Sequence, residues 1–174
     1  MSSETFVSAM LLITGVVAAA ILIVAVLPVI WGMVGTFSSA SAATDRSMRT
    51  DFKIVLTYAK YSSTGTAGAN VTVWMKNIGS SRIGTSELKL ADVVVGKSTD
   101  FNRATWIGTP QSRVNLVWWY TLYDISGGTT NVWDPGETLQ IDTFCTSVTG
   151  IGNPVFFQFT LPSAVSRSAE FTAS

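Results

Sequence analysis

Residues 5–44 read TFVSAMLLITGVVAAAILIVAVLPVIWGMVGTFSSASAAT, a run without a single ionisable side chain. The part from Phe6 to Leu27 supplies about 22 mostly apolar residues, enough for a helix to cross a hydrocarbon core of roughly 30 Å. The run therefore predicts one long N-terminal transmembrane helix with an apolar stem beyond the bilayer. We expect the helix to be retained, because the start that ends at Glu4 is acidic and lacks the basic residues of a signal peptide.

Four residues of this helix are candidates for helix packing and oligomerisation. Glu4 favours the positive end of the helix dipole, or pairs with the terminal amine of a neighbouring copy and sets the register of a bundle. Gly15 and Ala19 form a small-xxx-small face that would let two helices approach closely. Pro28 lacks a backbone donor, so we expect it to kink the helix or to end its first part.

From Phe52 onward the hydrophobic period changes from helical to two, which predicts a β domain. Further predicted strands cover 71–76, 86–90, 92–95, 105–107, 114–123, 138–142 and 155–161. Asp134-Pro135-Gly136-Glu137 predicts the tight turn before one of them. Seven or eight short strands with turns between them indicate an immunoglobulin-like sandwich. We therefore expect a helix and stem over 1–50 and an all-β domain over 51–174.

Composition excludes several classes of function. The chain has no histidine and one cysteine, which excludes hydrolase triads that use histidine and any CxxC zinc or redox site. The acidic residues are scattered, so no metal site and no cofactor is predicted. Lysine plus arginine equals aspartate plus glutamate at 11 each, which leaves no field to attract nucleic acid. We expect a protein that is not an enzyme, with Cys145 as a small buried apolar residue.

Two features of the β domain are candidates for its surface chemistry. Trp118 and Trp119 are neighbours on a predicted strand and face opposite sides, so at least one ring is a candidate for an interaction surface unless a strand or loop covers it. Asn70-Val71-Thr72 matches the acceptor pattern for N-glycosylation, which requires an external location.

Several segments together carry a resemblance to a known family. They are SET (3–5), LLIT (11–14), LPVI (27–30), TFSSA (36–40), MRTDFKI (48–54), VTVWMKNIG (71–79) and DPGETL (134–139). The first five resemble the archaellum accessory proteins of the FlaG family, with the FlaF family as the near alternative. The last two are similar to archaellin-type domains, so the expected fold is a long transmembrane α-helix followed by an archaellin-like β-sandwich.

The resemblance implies a stator-like component of the archaellum motor, anchored in the cell membrane by a single pass. Its β domain would be extracytoplasmic in the archaeal cell envelope and link the membrane to the surface layer for swimming. The partners implied are the membrane, a FlaF-like accessory protein, the surface-layer protein and further copies joined through the helix. It implies no catalytic residue. Arg46, Arg49 and Lys53 follow the helix and by charge alone would place the β domain inside. We discount the rule here, because Arg46 is already about 18 residues past Pro28, at the fringe of the window in which the rule operates, and Asp45 and Asp51 accompany the basic residues.

Two other functions stay open. A filament-forming archaellin or type IV pilin-like subunit would pack the same helix into a fibre core, although the short basic leader that ends in glycine is not found before Glu4. An anchored carbohydrate- or protein-binding module would instead use exposed rings among Trp106, Trp118, Trp119 and Trp133.

Overall fold

The computed structural model describes residues 3–111, 113–124 and 131–174. The chain forms two compact units, one ending at Thr44 and the other beginning at Asp45. Helix α1 covers Ser3–Arg49, and its last residues belong to the second, β-rich unit. A long apolar helix followed by a β domain is the predicted fold class, and it is confirmed.

Helix α1 is continuous through Pro28. The expectation that the helix could end at this proline is wrong, because one missing N–H and one ring clash can be absorbed by local bending without breaking the helix. Every described side chain from residue 3 to residue 42 is exposed. α1 therefore buries none of these side chains within its own chain.

The second unit is built from short strands. In chain order its elements are β1 (Phe52–Ser62), β2 (Gly68–Asn77), β3 (Ile83–Gly84), α2 (Thr85–Leu88), β4 (Asp92–Lys97), β5 (Asp100–Trp106), β6 (Val117–Tyr123), β7 (Val132–Trp133), β8 (Thr138–Cys145), β9 (Pro154–Thr160) and β10 (Ser166–Thr172). β3 and β7 pair only with each other. The other eight strands form one sheet in the order β1-β2-β8-β6-β5-β4-β9-β10.

This sheet consists of two antiparallel halves joined by a weak link. Within β1-β2-β8-β6 and within β5-β4-β9-β10 all neighbours are antiparallel, whereas β5 and β6 are parallel and match over only two residue pairs. At the other end β10 returns to β1, where the Ser174 N–H donates to the Ala59 carbonyl at 2.9 Å and the Tyr61 N–H donates to the Ser174 carbonyl at 2.9 Å. The halves face each other as a sandwich, as predicted.

The core lies between the two halves. Alternating residues of β2, β8 and β9 point inward, and aromatic rings connect the halves across the middle. The Phe52 ring lies 5.9 Å from Trp133 and 5.4 Å from Phe159, and Phe159 lies 6.3 Å from Trp118. All four side chains are at most 1% exposed. Burial of these large rings removes much apolar area from water and so stabilises the sandwich.

The strand predictions were wrong at residues 86–90 and missed the short strands β3 and β7 and the longer strand β10. Residues 86–90 were predicted as a strand, but the chain forms α2 there, because it must reverse between β3 and β4 and only Leu88 of the helix is buried. β10 was not predicted, since its sequence SRSAEFT has few β-branched or aromatic residues. It forms because β9 offers a complete ladder along its edge. Tertiary pairing decides both segments.

Candidate assembly and interaction surfaces

The α1 surface contains small residues that nothing in the described chain requires. A Cβ atom added at Gly15, Gly32 or Gly35 would meet no atom within 4 Å. Glycine costs about 1 kcal/mol relative to alanine inside a helix. Ala19 is exposed one turn after Gly15, and Glu4 lies in the first turn of the helix. No contact within the described chain requires these small residues. A close contact with another molecule would account for them.

Four hydroxyl groups of α1, those of Thr14, Thr36, Ser39 and Thr44, donate to carbonyls of the helix itself. The Thr14 hydroxyl donates to the carbonyls of Met10 and Leu11 at 2.9 and 3.0 Å. The Thr36 hydroxyl does the same one turn back, at 3.1 Å to Gly32 and 2.9 Å to Met33. Because these donors already have acceptors, the polar side chains can enter an apolar environment at little cost. Among the described residues α1 is the one helix long and apolar enough to cross a membrane.

The β unit holds the end of α1 through main-chain hydrogen bonds. The N–H groups of Ser80 and Ser81 donate to the Arg49 carbonyl at 2.9 and 3.1 Å. A Cβ atom at Gly79 would lie 2.4 Å from the same carbonyl, so only glycine fits. Ser80 and Ser81, just after β2, thus supply the capping groups for the last helical carbonyl.

The two neighbouring tryptophans have different positions. Trp118 is 1% exposed and belongs to the core, so it is corrected from a candidate surface residue to a packing residue. Trp119 is half-buried on the outer face of β6. Its cross-strand neighbour is Asp142, which accepts hydrogen bonds from Thr72 and Gln140 at 2.8 and 2.7 Å. Of the pair, only Trp119 is available at the surface of the chain.

A cleft of about 360 Å³ opens beside Trp119. We call it the Trp106–Trp119 cleft; its lining is Lys89, Trp106, Ile107, Gly108, Pro110, Trp119 and Tyr120. The Lys89 ammonium lies 5.4 Å from the centre of the Trp106 ring, within the range of a cation–π contact. Burial raises the pKa of the Tyr120 hydroxyl, which also shares a hydrogen bond with Thr85. The predicted set of exposed tryptophans is thereby reduced to Trp106 and Trp119, since Trp133 is also in the core.

The turn from Asp134 to Glu137 is a structural cluster. The Asp134 N–H donates to a Glu137 carboxylate oxygen at 2.8 Å, and the Trp133 indole N–H donates to the Glu137 carbonyl at 2.9 Å. The Asn77 amide donates to the Trp133 carbonyl at 3.0 Å, and Gly136 has a positive φ of 88°. The predicted tight turn is confirmed, and the Glu137 carboxylate holds the loop in place by accepting the Asp134 hydrogen bond.

Asp134, Glu137 and Cys145 of the β unit also have shifted pKa values. Hydrogen bonding to Arg82 lowers the pKa of the Asp134 carboxyl. Burial raises the pKa of the Glu137 carboxyl, which is 4% exposed. Burial also raises the pKa of the Cys145 thiol, which is fully buried as predicted. A buried neutral thiol is a poor nucleophile and a poor metal ligand.

Two further predictions concern positions on the sandwich. Asn70 lies on β2 and is half-buried; its glycosylation stays a prediction. Within the ranges that the structure describes, no group of three or more His, Cys, Asp or Glu residues could hold a metal ion.

Comparison with known proteins places this architecture. The model of the archaeal-type flagellin family matches residues 3–171, which includes both the helix and the β unit. The chain belongs to the archaeal-type flagellin family. It is 26% identical over 141 residues to an uncharacterized protein of Archaeoglobus fulgidus, covering 81% of this chain and 80% of that relative.

Two solved structures are similar to the chain. The archaeal flagellum of Methanospirillum hungatei strain JF1 matches 100% of this chain and 94% of its own, with a TM-score of 0.67 and 14% identity. The archaellum periplasmic stator protein FlaG of Sulfolobus acidocaldarius matches 70% of this chain and 99% of its own, with a TM-score of 0.49 and 20% identity. The first likeness shows that the two chains share a fold over the whole length of this chain. The predicted relation to archaellum proteins is confirmed, and the protein is archaellum-related.

Proposed function

We propose that this chain is a non-enzymatic, stator-like component of the archaellum motor, anchored in the cell membrane by α1. The observation that carries the proposal is the surface of α1, which is apolar and exposed along residues 3–42. Exposure of such an apolar surface to water is unfavourable, because the hydrophobic effect favours transfer of apolar area from water into an apolar environment. The resemblance of the α1 segments to the FlaG family favours the stator role within the archaellum.

The dimensions of α1 support an anchor that also assembles. Its 47 residues are about 70 Å long at 1.5 Å per residue, whereas a bilayer core of roughly 30 Å covers about 20 of them. The segment before Pro28 fits the bilayer, and Trp31 follows where interfacial aromatic residues are common. The remaining apolar part needs cover from protein. We propose that further copies supply it, through Gly15 and Ala19 within the membrane and beyond Pro28 outside it.

The remaining parts of the proposal concern the β unit. We place it outside the cytoplasm, where it would contact a FlaF-like accessory protein and the surface layer. Modification of Asn70 would fit that location, because N-linked glycans are added outside the cytoplasm. In this arrangement the sandwich is a rigid element that transfers load between envelope layers, and it requires no catalytic group.

A filament subunit is the second candidate, and one observation favours it. α1 is exposed beyond the length that a bilayer can cover, down to Ala42. Neighbouring helices in a fibre core would cover the whole of that length at once. This role and the stator role make the same use of the α1 surface and differ in where the assembled copies reside.

The experiment is to tag the chain at its C-terminus in cells that swim and to separate sheared filaments from membranes. A stator-like component stays in the membrane fraction, and deletion of its gene stops swimming while filament protein is still made. Recovery of the tagged chain as a major component of sheared filaments would establish the filament role instead. Normal swimming after deletion would reject the stator role.

A further inference from the structure

The Trp106–Trp119 cleft has a lining that neither assembly through α1 nor packing of the sandwich explains. It combines two half-buried tryptophans with one exposed lysine, and no acidic residue lines it. A neighbouring hollow of about 220 Å³ shares Lys89 and Trp106 with it. A concave aromatic surface with a few convergent polar groups is the usual form of a ligand site.

The geometry of the weak link between the two sheet halves creates the cleft. The Thr105 N–H donates to the Leu116 carbonyl at 2.8 Å and the Ile107 N–H donates to the Trp118 carbonyl at 2.9 Å, after which β5 leaves β6. Beyond Trp118, the β6 residues whose main-chain groups face the edge that β5 has left are Tyr120 and Leu122. No described residue pairs with their main-chain groups on this side. Among the described residues, the N–H and C=O groups at this edge of the cleft, beside the tryptophan rings, therefore have no main-chain partner.

The open edge is too short to select an extended peptide. Two residues of spacing correspond to about 7 Å of strand, whereas a peptide that adds to a sheet is held by a longer main-chain ladder. The ring surfaces and the charge of the cleft must then decide its ligand. Flat tryptophan faces bind the apolar faces of planar or ring-shaped ligands, and sugar rings have both an apolar face and hydroxyl groups for the open edge.

The charge of the cleft indicates the sign of the charge on its ligand. Arg103, in the neighbouring hollow, is paired with Asp92. Lys89 forms no ion pair with any described residue, and its contact is the ring of Trp106. The nearest acid to Trp119 across the sheet, Asp142, is outside the lining and already accepts two hydrogen bonds. One free cation matches one negative charge per ligand unit, whereas a phosphate monoester carries about two at neutral pH.

We propose that the Trp106–Trp119 cleft binds an acidic sugar residue of an envelope glycan. The sugar ring stacks on Trp119, its single carboxylate or sulfate contacts Lys89, and its hydroxyl groups bond to the open main chain of Tyr120. This function is additional to the proposed role in the archaellum and holds for a stator component or a filament subunit alike.

The test measures binding of the full-length chain in detergent micelles to four polymers by microscale thermophoresis. Polygalacturonate carries one carboxylate per sugar and dextran sulfate carries sulfate, whereas dextran is neutral and poly-L-glutamate is anionic without sugar rings. We expect binding to polygalacturonate or dextran sulfate, and the stronger of the two identifies the acidic group. Lys89→Gln and Trp119→Ala should each weaken that binding at least about tenfold, since one stacking or charged contact has that order of magnitude.

Matched controls keep the test decisive. Lys60→Gln removes another exposed lysine and Trp74→Ala removes another half-buried tryptophan of the sandwich, and neither lines the cleft. Both should bind as the unchanged chain does. Lys89→Gln lies on the surface and keeps the fold even if Trp119→Ala does not. Equal binding of poly-L-glutamate, equal losses in the controls, equal binding of neutral dextran, or no binding to either acidic polysaccharide would each overturn the proposal.

Discussion

Helix α1 and the β sandwich treat apolar side chains in opposite ways. Among the described residues of the sandwich, 24 hydrophobic ones are buried, and the largest buried rings are at most 1% exposed. In α1, side chains such as Leu22 and Val24 are 66% and 71% exposed. The sandwich is therefore stabilised by its own contacts, whereas α1 requires lipid or protein from outside the chain.

The glycines show the same contrast at the level of single atoms. Gly79 is required, because a Cβ atom would lie 2.4 Å from the Arg49 carbonyl. Gly15 meets nothing within 4 Å. Substitution of Gly79, which a contact within the chain requires, should therefore change the stability of the fold. Substitution of Gly15, which no such contact requires, should change only the association of the chain with other molecules.

Removal of α1 gives the largest expected effect. We expect residues 45–174 to fold in water as a monomer with a strand-rich circular dichroism spectrum, because the core lies wholly within that unit. A shorter chain from Phe52 should unfold at a temperature lower by about 4–8 °C for each kcal/mol lost, since Ser80 and Ser81 lose the Arg49 carbonyl. A mainly helical or insoluble product from residue 45 would break the comparison.

Gly79→Ala should destabilise the sandwich by about 1–3 kcal/mol, the usual cost of forcing an extra carbon into a closely packed site. Urea unfolding of residues 45–174, followed by tryptophan fluorescence, measures this change. Gly136→Ala gives a different kind of strain, because its φ is positive but the space around it is open. An unchanged midpoint for Gly79→Ala would contradict the contact with Arg49.

Gly15→Leu should leave the unfolding of the sandwich unchanged and weaken self-association of the full chain about tenfold, a difference of about 1.4 kcal/mol. Chemical cross-linking in micelles over a range of protein-to-detergent ratios measures the association. Val16→Leu, at the next exposed position, is the control for added bulk. Equal association of both variants and the parent chain would remove Gly15 from the helix interface.

The smallest expected effect concerns the pH dependence of the sandwich. Burial raises the pKa of the Glu137 carboxyl in the folded state. The protonated carboxyl therefore makes its full contribution to the free energy of unfolding below the ordinary pKa of glutamate, and this contribution is lost as pH rises through the raised pKa. Glu137→Gln keeps an acceptor for the Asp134 N–H and cannot ionise. We expect the stability of the parent to fall relative to that of Glu137→Gln as the pH rises from 4 to 7. Parallel stability curves for the two proteins would contradict a raised pKa.

The sequence predicted the parts of the molecule whose signals are local. The 5–44 run predicted α1, the alternation from Phe52 predicted β1, and the Asp134–Glu137 segment predicted its turn, because hydropathy period and turn chemistry act over a few residues. It did not predict α2 or β10, whose conformations depend on strands far along the chain. It also left Trp118 and Trp119 as equal candidates for the surface.

The sequence alone determined that an apolar helix precedes a strand-rich domain, because the spacing of apolar residues is a property of short continuous segments. Only the tertiary structure decided that Trp118 is core and Trp119 is surface, and that Lys89 meets Trp106 where β5 leaves β6. These facts depend on which strands are neighbours. Strand order is set by the summed packing of residues distant in sequence, so no local pattern contains it.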